Sequence, residues 1–371
     1  MRNNLTQENV KSLISRRQAN SVNDILRSNI APESLEFRQA INIVYRWRKQ
    51  HVPPTQDCFR QLIAYTWSYQ GAVVTYRLKR LRSIIDKLKR AKSKYELGGL
   101  DDIGGCRVIV ENIDQLKILV PALCEKMTLK SSGGIKDYIE KPRESGYRSC
   151  HLLVKQQVEG QKQQYRVELQ IRTKLQHYWA TALEAISEIY GKDYKNPNSI
   201  SRATSDDKEV LEFFKIVSCL FAIEEHSPVI SGMDRSQDRL VKRLRNVSCC
   251  SRVLNDLKQA QDAALVIQKS HKADAADDIY LLKLSRQNQL VEVAPFGDLT
   301  EALSQYESLE SGIQNPPGDR AAIYQNAQNE EAQWDNVVLV STEELNPLAL
   351  AYPNYDTNGG EFVRRVEKYL D

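Results

Sequence analysis

Residues 164–172 read QYRVELQIR, and from Arg166 to Arg172 polar and apolar side chains alternate strictly. In an extended chain Val167, Leu169 and Ile171 then point one way, and Arg166, Glu168, Gln170 and Arg172 the other. A half-buried strand accounts for the apolar row. The opposite row sets one carboxylate between two guanidiniums, which suits a metal-bound polyphosphate. The carboxylate can hold Mg2+ or take a proton, and the arginines can fork onto phosphate oxygens. A plain solvated sheet face has the same composition, so the row gains meaning only from its neighbours.

Working outward, HLLVKQQV (151–158) reads as a second strand reached through a Glu159-Gly160 turn, and CRVIVEN (106–112) as a third. The apolar period of Asp114–Met127 predicts a helix between them, and KLQHYWATALEAISEIYGK after Thr173 another. Just before CRVIV, Asp101-Asp102 is followed by Gly104-Gly105, where glycine lets backbone approach a ligand. An aspartate at a strand's start can bind Mg2+ or simply cap a turn. KPRESGYRSCH (141–151) supplies Lys141, Arg143 and Arg148 around Tyr147. That tyrosine could stack on a base while the cations hold phosphate, or fill a core beside a basic loop. Upstream, YRLKRLRSIIDKLKRAKSKY (76–95) is expected to be one basic helix. Its crowded like charges repel, and either an anionic ligand or water must relieve them.

The flanks are read more coarsely. Residues 1–70 are expected to be helical, with Ser34–Arg48 and Gln56–Tyr69 either side of a Pro53-Pro54 break. Two further helices are expected at Asp207–Glu225 and Arg235–Lys269. DIYLLKLS and QLVEVAPF then read as a strand pair, LTEALSQYESLES as a helix, Gly312–Asp319 as a loop, NVVLVS as a strand and GGEFVRRVEKYL as a terminal helix. The expected class is mixed α+β, in four units: a helical segment (1–70), a motif-bearing domain (71–200), a helical extension (201–271) and a small α+β domain (272–371).

A chain of 371 residues with 41% hydrophobic and 27% charged residues can build two or three real cores. Its formal charge of +4 is too mild to imply nucleic acid by itself. Seven scattered cysteines without a CxxC pair argue against a zinc site or a disulfide framework. The amino terminus lacks the apolar run of a secretion signal, and no stretch approaches the roughly 20 apolar residues of a membrane span, so a cytoplasmic location is expected. Arg235, Arg239, Lys242, Arg243 and Arg245 fit either a tRNA contact or a solvated face.

Taken in order, these stretches resemble the synthetase domain of the RelA/SpoT family over about residues 74–195. RLKRLRSIIDKLKR resembles its RxKxxxSIxxKLxR stretch, DDIGGCRVIV its DIAGIRVI strand, KPRESGYRSCH its KPxxxGYRSxH loop, and VELQIRT its ExQIRT strand. The resemblance implies a nucleotidyltransferase-like fold, with a mixed sheet flanked by helices, and an ATP:3′-hydroxyl pyrophosphokinase. It implies that Arg77, Ser83, Lys87 and Arg90 contact the ATP phosphates, that Asp102 binds Mg2+, and that Arg107 lies near the adenine. Tyr147 would stack on the acceptor base, and Glu168 would share the metal and deprotonate the attacking hydroxyl. His151, Gln170 and Arg172, with Lys141 and Arg148 of the loop, belong to the same motifs. Gly104 and Cys106 depart from the family's usual alanine and bulky aliphatic.

No His-Asp dipeptide precedes the motifs, so no alarmone hydrolysis is expected. The tail LALAYPNYDTNGGEFVRRVEKYL (348–370), with Tyr352 and Tyr355, resembles the C-terminal domain of CapRel-like fused toxin–antitoxin proteins. That implies a monomeric toxin acting on the 3′-CCA end of tRNA, silenced by its own tail until a phage protein binds it. A small alarmone synthetase using GDP or GTP, and a non-catalytic nucleotide- or RNA-binding regulator, are the competing readings.

Overall fold

The computed structural model describes residues 13–28, 30–31, 34–89, 95–195, 203–262, 265–268, 279–285, 290–314, 334, 336–342 and 360–371. The chain opens with helices α1 (Arg16–Asn20), α2 (Asn23–Arg27), α3 (Leu35–Lys49) and α4 (Val52–Thr66). Ser34 starts α3 by accepting a hydrogen bond from the Phe37 amide. Pro53 and Pro54 sit in the first turn of α4 rather than in a break before residue 56, because a missing N–H costs nothing there.

The expected helix over 76–95 divides in two. Residues Val73–Leu78 are strand β1, and among the described residues of the run Leu81–Lys89 form a helix, α5. The β-branched and aromatic run VVTY is held by ladders on both edges, which outweighs the local charge pattern. Then follow β2 (Gly104–Val110), α6 (Ile113–Lys126), β3 (Ile135–Asp137), β4 (Cys150–Gln157), β5 (Gln164–Thr173) and α7 (Lys174–Ile189). Thr173 closes β5 and caps α7 in a reciprocal box with Gln176.

Next come α8 (Ser205–Glu224), α9 (Gln237–Arg245) and α10 (Cys250–Asp262). The expected helix Arg235–Lys269 is therefore two helices, interrupted around Asn246, and Leu265–Gln268 is strand β6. Strands β7 (Ile279–Ser285) and β8 (Leu290–Phe296), helix α11 (Leu299–Gln314), strand β9 (Asn336–Ser341) and helix α12 (Glu361–Leu370) complete the described elements. Gly312 belongs to α11 rather than to a loop.

The described strands form one mixed sheet in the order β3-β4-β5-β2-β1-β9-β7-β8-β6. The β2–β5 and β6–β8 pairs are parallel and the others antiparallel. The strands of 272–371 thus continue the sheet of 71–200, through β9 on β1 at Val74–Tyr76. One face packs on α4, α6 and α11, burying Val74, Tyr76, Val108, Leu169, Ile171, Leu281 and Leu339. Helices α7 to α10 build a second core that includes Trp179, Phe213, Phe214 and Phe221. Helix α12 joins this helical core, with Phe362 stacked on Phe214 at 5.8 Å between ring centroids. The first three helices share a third core with α5.

Candidate active site

Register decides which side chains meet. Across β1, β2 and β5, Arg77 aligns with Gly105 and Glu168, and Thr75 with Arg107 and Gln170. Across β5 and β4, Gln170 aligns with His151. All of these face away from the α4/α6 core, because residues two apart share a face. Thr75, Arg77, Lys79, Asp102, Gly105, Cys106, Arg107, Glu168 and Gln170 line one pocket on that face. Residues scattered from Thr75 to Gln170 along the sequence are thereby brought together.

Asp102 stands just before β2 and meets two ammoniums, Lys87 at 2.8 Å and Lys79 at 3.1 Å. Burial pushes its carboxyl up, but the two lysines overcome this and hold it at about 2. Its Oδ1 is buried without a hydrogen-bond partner among the described residues. Glu168 accepts a hydrogen bond from Gln170 Nε2 at 2.8 Å and lies 3.5 Å from His151 Nδ1. Burial raises its carboxyl, yet His151 and Gln170 keep it below the ordinary glutamate range, against a smaller opposing push from Asp102. Tyr147 Oη lies 2.8 Å from His151 Nε2. Arg172 donates to Gln170 Oε1 at 3.1 Å. A continuous polar chain therefore runs from Tyr147 through His151, Glu168 and Gln170 to Arg172.

Three guanidiniums crowd the same face. Burial lowers Arg107 to about 9, with Arg172 and Arg77 adding to the effect, and burial likewise lowers Arg172. The Nε atoms of Arg107 and Arg172 are buried without a hydrogen-bond partner among the described residues. Crowded, undersatisfied cations of this kind are stabilised by an anion. Two carboxylates lining one pocket match the usual Mg2+ arrangement, in which one or two carboxylates bind and substrate phosphates complete the shell. Among the described residues no group of three or more potential metal ligands occurs. The orphaned Asp102 Oδ1 and the ionised Glu168 therefore fit a cation that arrives with its nucleotide.

Of the sequence candidates, Arg77, Asp102, Arg107, Glu168 and Gln170 line the pocket. Lys87 reaches it through Asp102, and His151, Tyr147 and Arg172 through the polar chain. Ser83 is half-buried one helical turn before Lys87. Lys141 is exposed on the loop. Arg148 does not face the pocket: it is buried against α8 and donates to Ser218 Oγ at 3.1 Å. Arg166 is taken by Asp101 at 2.7 Å and by the Gly98 carbonyl, so it braces the strand instead of forking onto phosphate. Arg90, Tyr352 and Tyr355 lie outside the described residues.

Three groups were not singled out from sequence. Lys79 was only one cation among many until the strand break aimed it at Asp102. Tyr138 packs edge-on against Tyr147 and His151 and carries the Arg143 guanidinium 4.3 Å from its ring centre. Glu184 on α7 pairs with Lys195. Burial raises its carboxyl, but Lys195, Arg107 and Arg77 drive it well below the usual range. The Gly104 departure also has a cause: a Cβ there would meet Thr55 Oγ1 of α4 at 1.9 Å. Within the basic cluster, Arg239 pairs with Asp234 and Arg243 with Glu212, and Arg245 donates to the Leu370 carbonyl.

Part of the chain is similar to known proteins. Residues 76–195 match the family model described as "Region found in RelA / SpoT proteins". The chain is 35% identical over 121 residues to GTP pyrophosphokinase YjbM of Bacillus subtilis, covering 32% of this chain and 56% of that protein. It is 33% identical over 143 residues to GTP pyrophosphokinase YwaC of the same organism, covering 37% and 65%. The chain thus spans between about half and two thirds of the length of these curated relatives. Among solved structures, small alarmone synthetase 1 of B. subtilis aligns with a TM-score of 0.38 at 23% identity, over 48% of this chain and 92% of that one. No helix among the described residues is long and apolar enough to cross a membrane.

Proposed function

We propose that this chain is an ATP-dependent pyrophosphokinase that moves the β,γ-pyrophosphate of ATP to a ribose 3′-hydroxyl. The observation that carries this reading is that Asp102 and Glu168 line one pocket with Arg77, Lys79 and Arg107, and that Lys87 reaches it through Asp102. Bound Mg2+, held by Asp102 and Glu168, would supply neutralisation of phosphate charge. Lys79, Lys87 and Arg77 are in place to hold the triphosphate in line with the acceptor. Tyr147 offers its ring to the acceptor base. Glu168, kept ionised by His151 and Gln170, takes the proton from the attacking hydroxyl. The new bond joins the 3′ oxygen to the β-phosphorus, the bond to the α-phosphate oxygen breaks, and AMP leaves.

For the acceptor we propose the 3′-CCA end of tRNA, with residues 272–371 as an intrinsic restraint that a phage protein relieves. This follows the tail's resemblance, and the contact of β9 with β1, the strand bearing Arg77, supports it. A second reading, transfer to GDP or GTP, is favoured by the names of the two relatives and by the internal pairing of Arg239 and Arg243. The test is full-length protein with γ-32P-ATP, Mg2+ and either bulk tRNA or GDP/GTP, beside Glu168→Gln as a control. Label in tRNA supports the first acceptor, and label in guanine nucleotide replaces it with the second. No label in either, from the wild type and from a Tyr352→Ala/Tyr355→Ala variant, would sink the pyrophosphokinase reading.

A further inference from the structure

The geometry points to α8, which lies beyond the matched 76–195 region, as the element that positions Tyr147, through the Oγ of Ser218 and the guanidinium of Arg148. The inference rests on the proposed reading of Tyr147 as the acceptor platform, and makes Ser218 and Arg148 positioning residues for the acceptor.

Tyr147 is flanked by Gly146 and Arg148, and both neighbours are tied to one hydroxyl. Ser218 Oγ donates to the Gly146 carbonyl at 2.6 Å and accepts from Arg148 Nε at 3.1 Å. Ser218 is 1% and Arg148 3% exposed, so neither bond is shared freely with water. Gly146 has φ +95°, and a Cβ there would meet Ser218 Cβ and Trp179 Cζ2, each at 2.9 Å. The backbone before Tyr147 is therefore pressed directly onto α7 and α8. A turn closed by Gly146 N–H on the Arg143 carbonyl at 2.8 Å fixes the other side.

The brace is itself anchored. Trp179 Nε1 donates to the Phe214 carbonyl of α8 at 2.8 Å. At the end of α8, Glu225 accepts from Thr173 Oγ1 and from Gln176 Nε2, tying the helix to the end of β5. Next to it, Glu224 receives Arg365 and Tyr369 of α12, both at 2.7 Å. Tyr147 thus reaches Glu168 on one side through His151, and on the other side is set by a helix whose own position depends on β5 and on the C-terminal helix. A shift of α8 moves the acceptor platform relative to the base that must deprotonate the acceptor. The ATP side of the pocket, on β1, α5 and Asp102, has no such dependence on Ser218.

The test compares full-length wild type with Ser218→Ala and Ser218→Thr, the latter retaining the hydroxyl. Steady-state transfer is measured with ATP and acceptor varied separately, and backbone hydrogen exchange is followed in the 141–148 peptide and in α8. Ser218→Ala is expected to lower kcat/KM for the acceptor about 10-fold, as misplacement by a fraction of an ångström does. KM for ATP stays unchanged, the loop exchanges faster, and α8 keeps its protection. Ser218→Thr is expected to recover most of the acceptor effect. If loop exchange is unchanged in Ser218→Ala, or the ATP and acceptor constants fall together, the brace is wrong while the functional reading stands. Inactivity toward every acceptor in both the wild type and the Tyr352→Ala/Tyr355→Ala variant overturns the functional reading instead, and loop exchange still judges the brace.

Discussion

Two halves of one sheet face can be compared strand by strand. On β1, β2, β4 and β5 the face carries Thr75, Arg77, Arg107, His151, Glu168, Gln170 and Arg172. On β7, β8 and β9 the same face carries Tyr280, Leu282, Leu284, Val291, Val293, Val338 and Val340, all buried. The halves join where Thr75 pairs with Val340. Apolar side chains at such positions are explained by removal from water. Charged ones are not, because each ion withdrawn from water is costly unless a partner compensates it. Here the cations outnumber the acids that face them, and the excess is what a polyphosphate would balance. The contrast shows that a strand's polar row is informative when it is buried, whereas the same row in solvent says little.

The comparison breaks most sharply at the carboxylates. Asp102→Asn or Glu168→Gln is expected to lower pyrophosphate transfer by roughly 1,000-fold or more while leaving the thermal midpoint within a few degrees, measured by label transfer and calorimetry. Equal losses of activity and stability would mean that these acids hold the fold instead. In the apolar half the opposite outcome is expected. Leu282→Ala should cost about 3 kcal/mol in denaturant unfolding, because it opens a cavity in a packed face.

A smaller effect concerns Gly104. Gly104→Ala alone should destabilise by about 1–3 kcal/mol through its clash with Thr55, and Thr55→Ala in the same chain should recover most of that. Additive losses would show that Thr55 is not the obstacle. The finest test is pH. The folded carboxyl of Asp102 lies near 2, below its ordinary value of 3.8, so its contribution to stability is fully present above pH 4. It is lost as the pH falls from about 4 through 2. Lys87→Met should shrink that part of the acid-unfolding curve, followed by fluorescence, and leave the neutral region flat. A curve unchanged below pH 4 would remove Lys87 as the cause.

Much of the site was legible because its motifs are local. The alternation of β5 placed Glu168 and Gln170 on one face, and DDIGGCRVIV placed Asp102 before a strand and Arg107 two residues beyond Gly105. The misreadings were of residues whose role depends on distant partners. Arg166 and Arg148 look identical to phosphate-binding arginines in sequence, yet Asp101 and Ser218 engage them. The run from Tyr76 has the charge spacing of a helix, and the strand preference of VVTY becomes decisive only when β2 and β9 supply its ladder partners. No sequence signal marks Ser218, since one serine in a helix has no pattern.

The sequence alone determined the α+β class, the strands β2, β4, β5, β7, β8 and β9, and the placement of Asp102 before one strand and Glu168 within another, because period-2 alternation and short motifs are properties of neighbouring residues. Tertiary structure alone decided that β9 joins β1 in a continuous sheet, that α12 packs with α8, and which arginines remain for a ligand. Those outcomes depend on register, burial and the nearest opposite charge, which are set by residues far apart along the chain.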